Sequence, residues 1–320
     1  MKQLSYLLLF FGILSCEKDE IPRSKPVAGS ADVVSVTMGS DYANQLFFNL
    51  KTKEVVLKNN REVWDLGFES TADGYHVILN GAKMMAVSKT THTNLADVTS
   101  AEGVTWDWDR PSGNFDSTAI GDWRNENFVY LVDRGTTTTG TAIGKLKLKI
   151  LSVSATQYTI EWAELSETTS HTKTITKDET GSFTYFSFSS GETLAIEPAK
   201  ATWDLCFTSY THVFDAHTPY LVSGVISNRY GVKVKPVNTK PFADISYVDY
   251  LAANFDNKIN NIGYNWKTYD FDNGLYVVDI AQNFIIETAE GRVYKLHFLD
   301  FYDDFGVKGA PTMEIQEMVP

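Results

Sequence analysis

Cysteine is nearly absent: the 320 residues include only Cys16 and Cys206, too few for a disulfide framework or a thiolate metal site. Cations are also short, with 28 Lys and Arg against 40 Asp and Glu, and the formal charge of -12 excludes nucleic acid as a partner. Long apolar runs are missing apart from Leu7–Leu14, which is too short to span a bilayer. Histidine occurs six times, and residues 225–283 contain neither His nor Met. No zinc-protease His-Glu motif, P-loop, Gly-x-Ser-x-Gly elbow or redox Cys pair occurs, so no catalytic residue is assigned and the chain is expected not to be an enzyme. Asp270-Phe271-Asp272-Asn273-Gly274 begins like a calcium loop, but its twelfth position is Ala281 where a bidentate Glu is needed, and no metal site is expected.

What is present begins at the N-terminus. Lys2 precedes the apolar run, and small Ser15 stands before Cys16. This arrangement describes an export signal over residues 1–15 and resembles the lipobox of bacterial lipoproteins, with Cys16 as the lipidated residue. Two or more acyl chains make such an anchor stable, since each buried methylene contributes roughly 0.8 kcal/mol. Residues 16–32 read as a tether whose acidic Glu17-Lys18-Asp19-Glu20 resembles the surface-export tag of some Gram-negative lipoproteins. A lipid-anchored, surface-exposed outer-membrane protein is the expectation.

The vocabulary of the remainder is strand-rich, with 16 Tyr, 19 Phe and 7 Trp among frequent Val, Ile and Thr. Lys145, Lys147 and Lys149 alternate with Leu146, Leu148 and Ile150, a period of two that implies one wet and one buried face. Asn80-Gly81 and Asn273-Gly274 read as type I′ hairpin turns, with Ser223-Gly224 in the matching place of the second half. A short helix is predicted within about 244–255. Self-similarity organises the whole: Trp64-Asp65-Leu66-Gly67-Phe68 returns as Trp203-Asp204-Leu205-Cys206-Phe207, an offset of 203 - 64 = 139. Phe47-Phe48-Asn49-Leu50 answers Tyr185-Phe186-Ser187-Phe188, Leu95-Ala96-Asp97-Val98 answers Phe242-Ala243-Asp244-Ile245, and Trp123 answers Trp266. The fold class is therefore all-β, as two tandem antiparallel modules at 33–167 and 171–320. In such modules Trp64 and Trp203 are expected in equivalent buried positions, Cys206 as a small buried hydrophobe, and His297 on a wet strand face.

The ordered string Thr174-Ile175-Thr176, Tyr185 to Glu192, Trp203-Asp204-Leu205, Phe284 to Gly291 and Lys295-Leu296 resembles the HmuY-like surface lipoproteins. That resemblance implies non-catalytic ligand binding, with haem or porphyrin as the ligand held between two axial side chains and an outer-membrane transporter as a possible receiver. Residues 225–283 offer no His or Met for that role, so Met84, Met85 and His92 of the first module are the candidate ligands. His212 and His217, flanking Asp215, form the rival site. A lipoprotein that binds a glycan or a protein instead of haem is the alternative, and the cofactor stays open at this level.

Overall fold

The computed structural model describes residues 31–215 and 218–319; the expected signal, Cys16 as the expected lipidation site, almost all of the expected tether and His217 lie outside the described residues. The first repeat supplies β1 (Asp32–Ser35), β2 (Asn44–Asn49), β3 (Glu54–Asn60), β4 (Leu66–Glu69), β5 (Val77–Leu79), β6 (Ala86–Lys89), β7 (Tyr130–Asp133), β8 (Lys145–Val153) and β9 (Gln157–Glu164). The second supplies β10 (His171–Thr176), β11 (Phe183–Ser187), β12 (Glu192–Leu194), β13 (Leu205–Val213), β14 (Pro219–Ser227), β15 (Lys233–Val237), β16 (Lys267–Asp270), β17 (Leu275–Val278), β18 (Asn283–Glu287), β19 (Val293–Tyr302) and β20 (Lys308–Met318). Every pairing between them is antiparallel, and the only α-helix among the described residues is α1 (Tyr247–Leu251), inside the stretch predicted to be helical.

The sheets do not follow the repeats. β1 pairs with β20, the last strand of the second repeat, while its counterpart β10 pairs with β9, the last strand of the first. Likewise β2 pairs with β13 and β11 with β4, in equivalent registers: Phe48 opposite Leu205 and Phe186 opposite Leu66. Each repeat thus gives its first three strands to the other. One packed unit is the continuous stretch from β4 to β12; the other joins β1–β3 to β13–β20.

Burial follows from this exchange. Sheet β10-β9-β8-β7-β6 covers one face of sheet β12-β11-β4-β5, and Leu66, Phe68, Leu148, Tyr158, Ile160 and Phe186 fill the space between them. Sheet β1-β20-β19-β18-β15 covers β14-β13-β2-β3 around Phe48, Leu205, Phe207, Phe284, Leu296 and Phe298. The two four-stranded sheets then turn their other faces toward each other. β13 is consequently buried from Leu205 through Thr211: Leu205 and Phe207 enter the core of their own unit, whereas alternate residues Cys206, Thr208 and Tyr210 line the space between the units.

Several local expectations need correction. Asn80-Gly81 is not a two-residue hairpin turn; Asn80 keeps φ at -70° and caps a short 3-10 helix over Gly81–Lys83, because its side-chain amide is held by the carbonyls of Arg61 and Trp64. Ser223-Gly224 lies inside β14, and the true counterpart of Asn80 is Asn228, which donates to the carbonyls of Lys200 and Trp203. Asn273-Gly274 does sit in the β16–β17 turn, but only Gly274 takes a positive φ, in a four-residue loop. Lys147 is buried, with its ammonium on the Glu167 carbonyl. His297 is buried too, since the aromatic ring of Phe242 stacks on it at 4.2 Å and Glu314 bonds its Nε2 at 2.8 Å.

Candidate functional site

The two tryptophans at the start of each repeat's middle strand set the frame. Trp64 and Trp203 are both buried, each in an edge-on contact with an aromatic ring, Tyr185 at 4.8 Å and Phe47 at 4.9 Å. Their neighbours Asp65 and Asp204 point the opposite way along the strand and accept the backbone N–H of Phe188 and of Leu50, both at 2.8 Å. Cys206 packs between Phe47 and Trp203, and burial pushes its thiol pKa up, as an inert apolar cysteine requires.

The proposed ligand residues are placed as follows. Met85 is in the core of the first unit, and Met84 is half-buried with a left-handed backbone at φ +60°. His92 lies exposed beyond the far end of β6, in a groove with Thr90, Thr91, Asp97 and Ser100. An extended chain advances roughly 3.3 Å per residue, so β6 holds His92 away from both methionines. The structure does not bring the three together.

His212 stands in a different setting, near the free end of the β13–β14 hairpin. This hairpin is the longest uninterrupted ladder of its sheet, from Leu205 opposite Ser227 to Val213 opposite Pro219. The His212 ring makes edge contacts with Phe214 at 4.7 Å and Tyr264 at 5.2 Å, while Phe214 and Tyr220 each leave 60% of their surface exposed. Its Nδ1 is buried and has no hydrogen-bond partner. Burial lowers the imidazole pKa below its ordinary value, which favours the neutral form, the form that ligates metals. Tyr264 is held in its phenol form by the same effect. The His212–Tyr264 contact leaves no space for a metal between the rings, so among the described residues this site offers one nitrogen donor beside an exposed aromatic face. Residues 225–283 gave no His or Met to find, and Tyr264 gains significance only from its packing against His212.

Among the described residues, no group of three or more His, Cys, Asp or Glu could hold a metal ion, and no helix is long and apolar enough to cross a membrane.

Two interleaved antiparallel β repeats, with His212 and exposed aromatic rings gathered at the end of the β13–β14 hairpin, define the class of fold. Residues 41–182 and 179–315 each match the HmuY protein family, and the chain belongs to that family. At family level it is a ligand-binding surface protein. Among solved structures it is similar to apo PinO from Porphyromonas gingivitis, at 8% identity over 91% of this chain and 99% of that one, with a TM-score of 0.26. A candidate lipoprotein from Bacteroides fragilis is 13% identical over 52% of this chain and 91% of its own, with a TM-score of 0.23. A candidate HmuY-like heme-binding protein from Bacteroides vulgatus is 10% identical over 92% and 97%, with a TM-score of 0.24. No curated protein matches the chain.

Proposed function

We propose that this is a non-catalytic surface lipoprotein, anchored to the outer membrane through Cys16, that captures haem or a related porphyrin at the β13–β14 hairpin. The observation that carries the reading is His212: an imidazole kept neutral by burial and set among Phe214, Tyr220 and Tyr264, with Nδ1 enclosed and Nε2 the nitrogen left to ligate. Exposed aromatic rings provide stacking for a planar macrocycle, and one imidazole supplies an axial donor. The spectrum expected is that of singly ligated haem, because among the described residues no second donor faces His212 across an iron-sized gap.

The test is a Soret titration of the mature protein with haem. Parent, His92→Ala and Met84→Ala proteins should saturate alike, while His212→Ala should weaken binding by about tenfold or more, roughly 1.4 kcal/mol. Saturation unaffected by His212→Ala would overturn this site, and loss in His92→Ala would move it to the β6 groove. The hydroxyl-lined surface of that groove, with Thr90, Thr91, Thr99 and Ser100 around His92, favours a second reading as a glycan contact. A flat parent titration would leave that reading standing.

A further inference from the structure

Between the two four-stranded sheets lies a cavity of about 150 Å³. An apolar cavity of that order admits a benzene-sized molecule. Its two walls are related by the repeat. Trp64 against Tyr185 on one side matches Trp203 against Phe47 on the other, with offsets of 203 - 64 = 139 and 185 - 47 = 138.

The symmetry breaks at one position. Gln45 accepts the Trp64 indole N–H on its Oε1 at 2.9 Å and donates from its Nε2 to Thr208 Oγ1 at 2.9 Å. At the repeat offset, 183 - 45 = 138, the counterpart of Gln45 is Phe183, which carries no acceptor. The Trp203 indole N–H is consequently buried without a partner, in a residue only 7% exposed. Tyr210, equally enclosed and lining the same cavity, has a buried hydroxyl that is also unpartnered.

The acids in the wall do not reach these donors; their oxygens accept other groups. Asp109 accepts the N–H groups of Leu79 and Ala119 at 2.7 and 2.8 Å, and Glu197 accepts the Ser182 N–H and the Tyr185 hydroxyl, both at 3.2 Å. A buried donor left unmade costs about 1 to 3 kcal/mol, so the cavity favours an occupant that brings an acceptor. Asp109 and Glu197 in the wall are offset by Arg110 and Arg229, so the lining favours an uncharged occupant, and the buried Nη1 of Arg110 is one more donor without a partner.

We propose that this cavity is a second binding site, for a compact uncharged ring molecule whose carbonyl oxygen accepts the Trp203 indole N–H. It is too small for a porphyrin, and His212 is not among its lining residues, although β13 and β14 form part of its wall. Cyclohexanone is the probe, and toluene, of equal heavy-atom count but without an acceptor, is the control.

The experiment follows the indole N–H resonances of the mature protein by ¹⁵N–¹H NMR. Cyclohexanone should shift one indole resonance downfield in a saturable way, and toluene should not. That resonance should be the one missing from Trp203→Phe, whose affinity for cyclohexanone should fall about tenfold with toluene binding unchanged. Phe183→Gln, which restores the acceptor present in the first repeat, should satisfy Trp203 and abolish the cyclohexanone shift. The parent spectrum alone suffices to refute the proposal: no saturable indole shift at millimolar cyclohexanone means that the cavity takes no such ring, and the same shift with toluene means that no acceptor is recognised.

Discussion

Asp65 and Asp204 occupy the same place in the two repeats and accept equivalent backbone N–H bonds, yet neutralising them should have different consequences. Around Asp65, the buried Lys83 ammonium bonds Oδ1, and Arg134 adds Nε and Nη2 bonds at 3.2 and 3.1 Å. Asp65→Asn would leave two buried cations facing a neutral amide, and breaking a buried ion pair from one side costs about 3 to 5 kcal/mol. Asp204 makes no ion pair among the described residues, and burial raises its pKa despite the Leu50 N–H bond. Asparagine at 204 keeps an acceptor for Leu50 and removes an uncompensated charge, so at pH 7 its effect should stay within about 1 kcal/mol or be stabilising. The pH dependence has a definite sign. With its folded pKa above the unfolded value of about 3.9, Asp204 stabilises the fold at low pH, and that contribution is lost as pH rises through the folded pKa. Asp204→Asn should flatten this decline. Urea midpoints at constant m-value, at pH 4 and pH 7, read all of it. Adding Lys83→Met to Asp65→Asn should recover part of the loss, since the stranded ammonium is gone. Equal destabilisation by Asp65→Asn and Asp204→Asn at pH 7 would refute the reasoning.

Lys267 is nearly fully buried, with its ammonium on the Ser223 carbonyl at 2.6 Å and over the rings of Trp266 at 4.3 Å and Phe301 at 4.6 Å; burial lowers its pKa to about 7. The unfolded chain keeps this proton up to about pH 10, so stability should rise between pH 7 and 10 by roughly 3 to 4 kcal/mol more in the parent than in Lys267→Met; parallel profiles in urea would refute it. At the N-terminus, Cys16→Ser should give an unlipidated protein released from membranes, and labelled fatty acid still entering that variant would disprove the anchor.

The all-β class, the repeat and its paired tryptophans were legible because they rest on local signals: alternation, and a motif returning at nearly constant spacing. The counterparts Leu95-Ala96-Asp97-Val98 and Phe242-Ala243-Asp244-Ile245 both close a 3-10 turn over their first three residues, with the fourth donating its backbone N–H to the first. The exchange of strands was not legible. Phe48 meets Leu205 in the same register as Phe186 meets Leu66, so the pattern within one repeat is identical whether β2 pairs at home or abroad. His297 misled because alternation assigns a face but not what covers it; the segment around Phe242 turns a nominally wet face into a buried one. The separation of His92 from Met84 and Met85 likewise depends on β6 being extended between them, which sequence proximity conceals.

The exchange also fixes where the unassigned chemistry lies. The chain crosses between the packed units at two segments, after β3 and after β12, and Trp64 and Trp203 end those crossings. Each crossing is pinned in the same manner: Asn80 donates to the carbonyls of Arg61 and Trp64, and Asn228 to those of Lys200 and Trp203, at 2.7 to 2.8 Å. Buried amides with both protons engaged make such crossings rigid, since freeing either one leaves buried carbonyls unpaired. The cavity between the units is bounded by both crossings, and its tryptophans are held at fixed positions before any occupant arrives. Pre-organisation of this kind lowers the entropic cost of binding. A single substitution in the repeat, Gln45 against Phe183, then decides that only the second tryptophan has an indole N–H to offer.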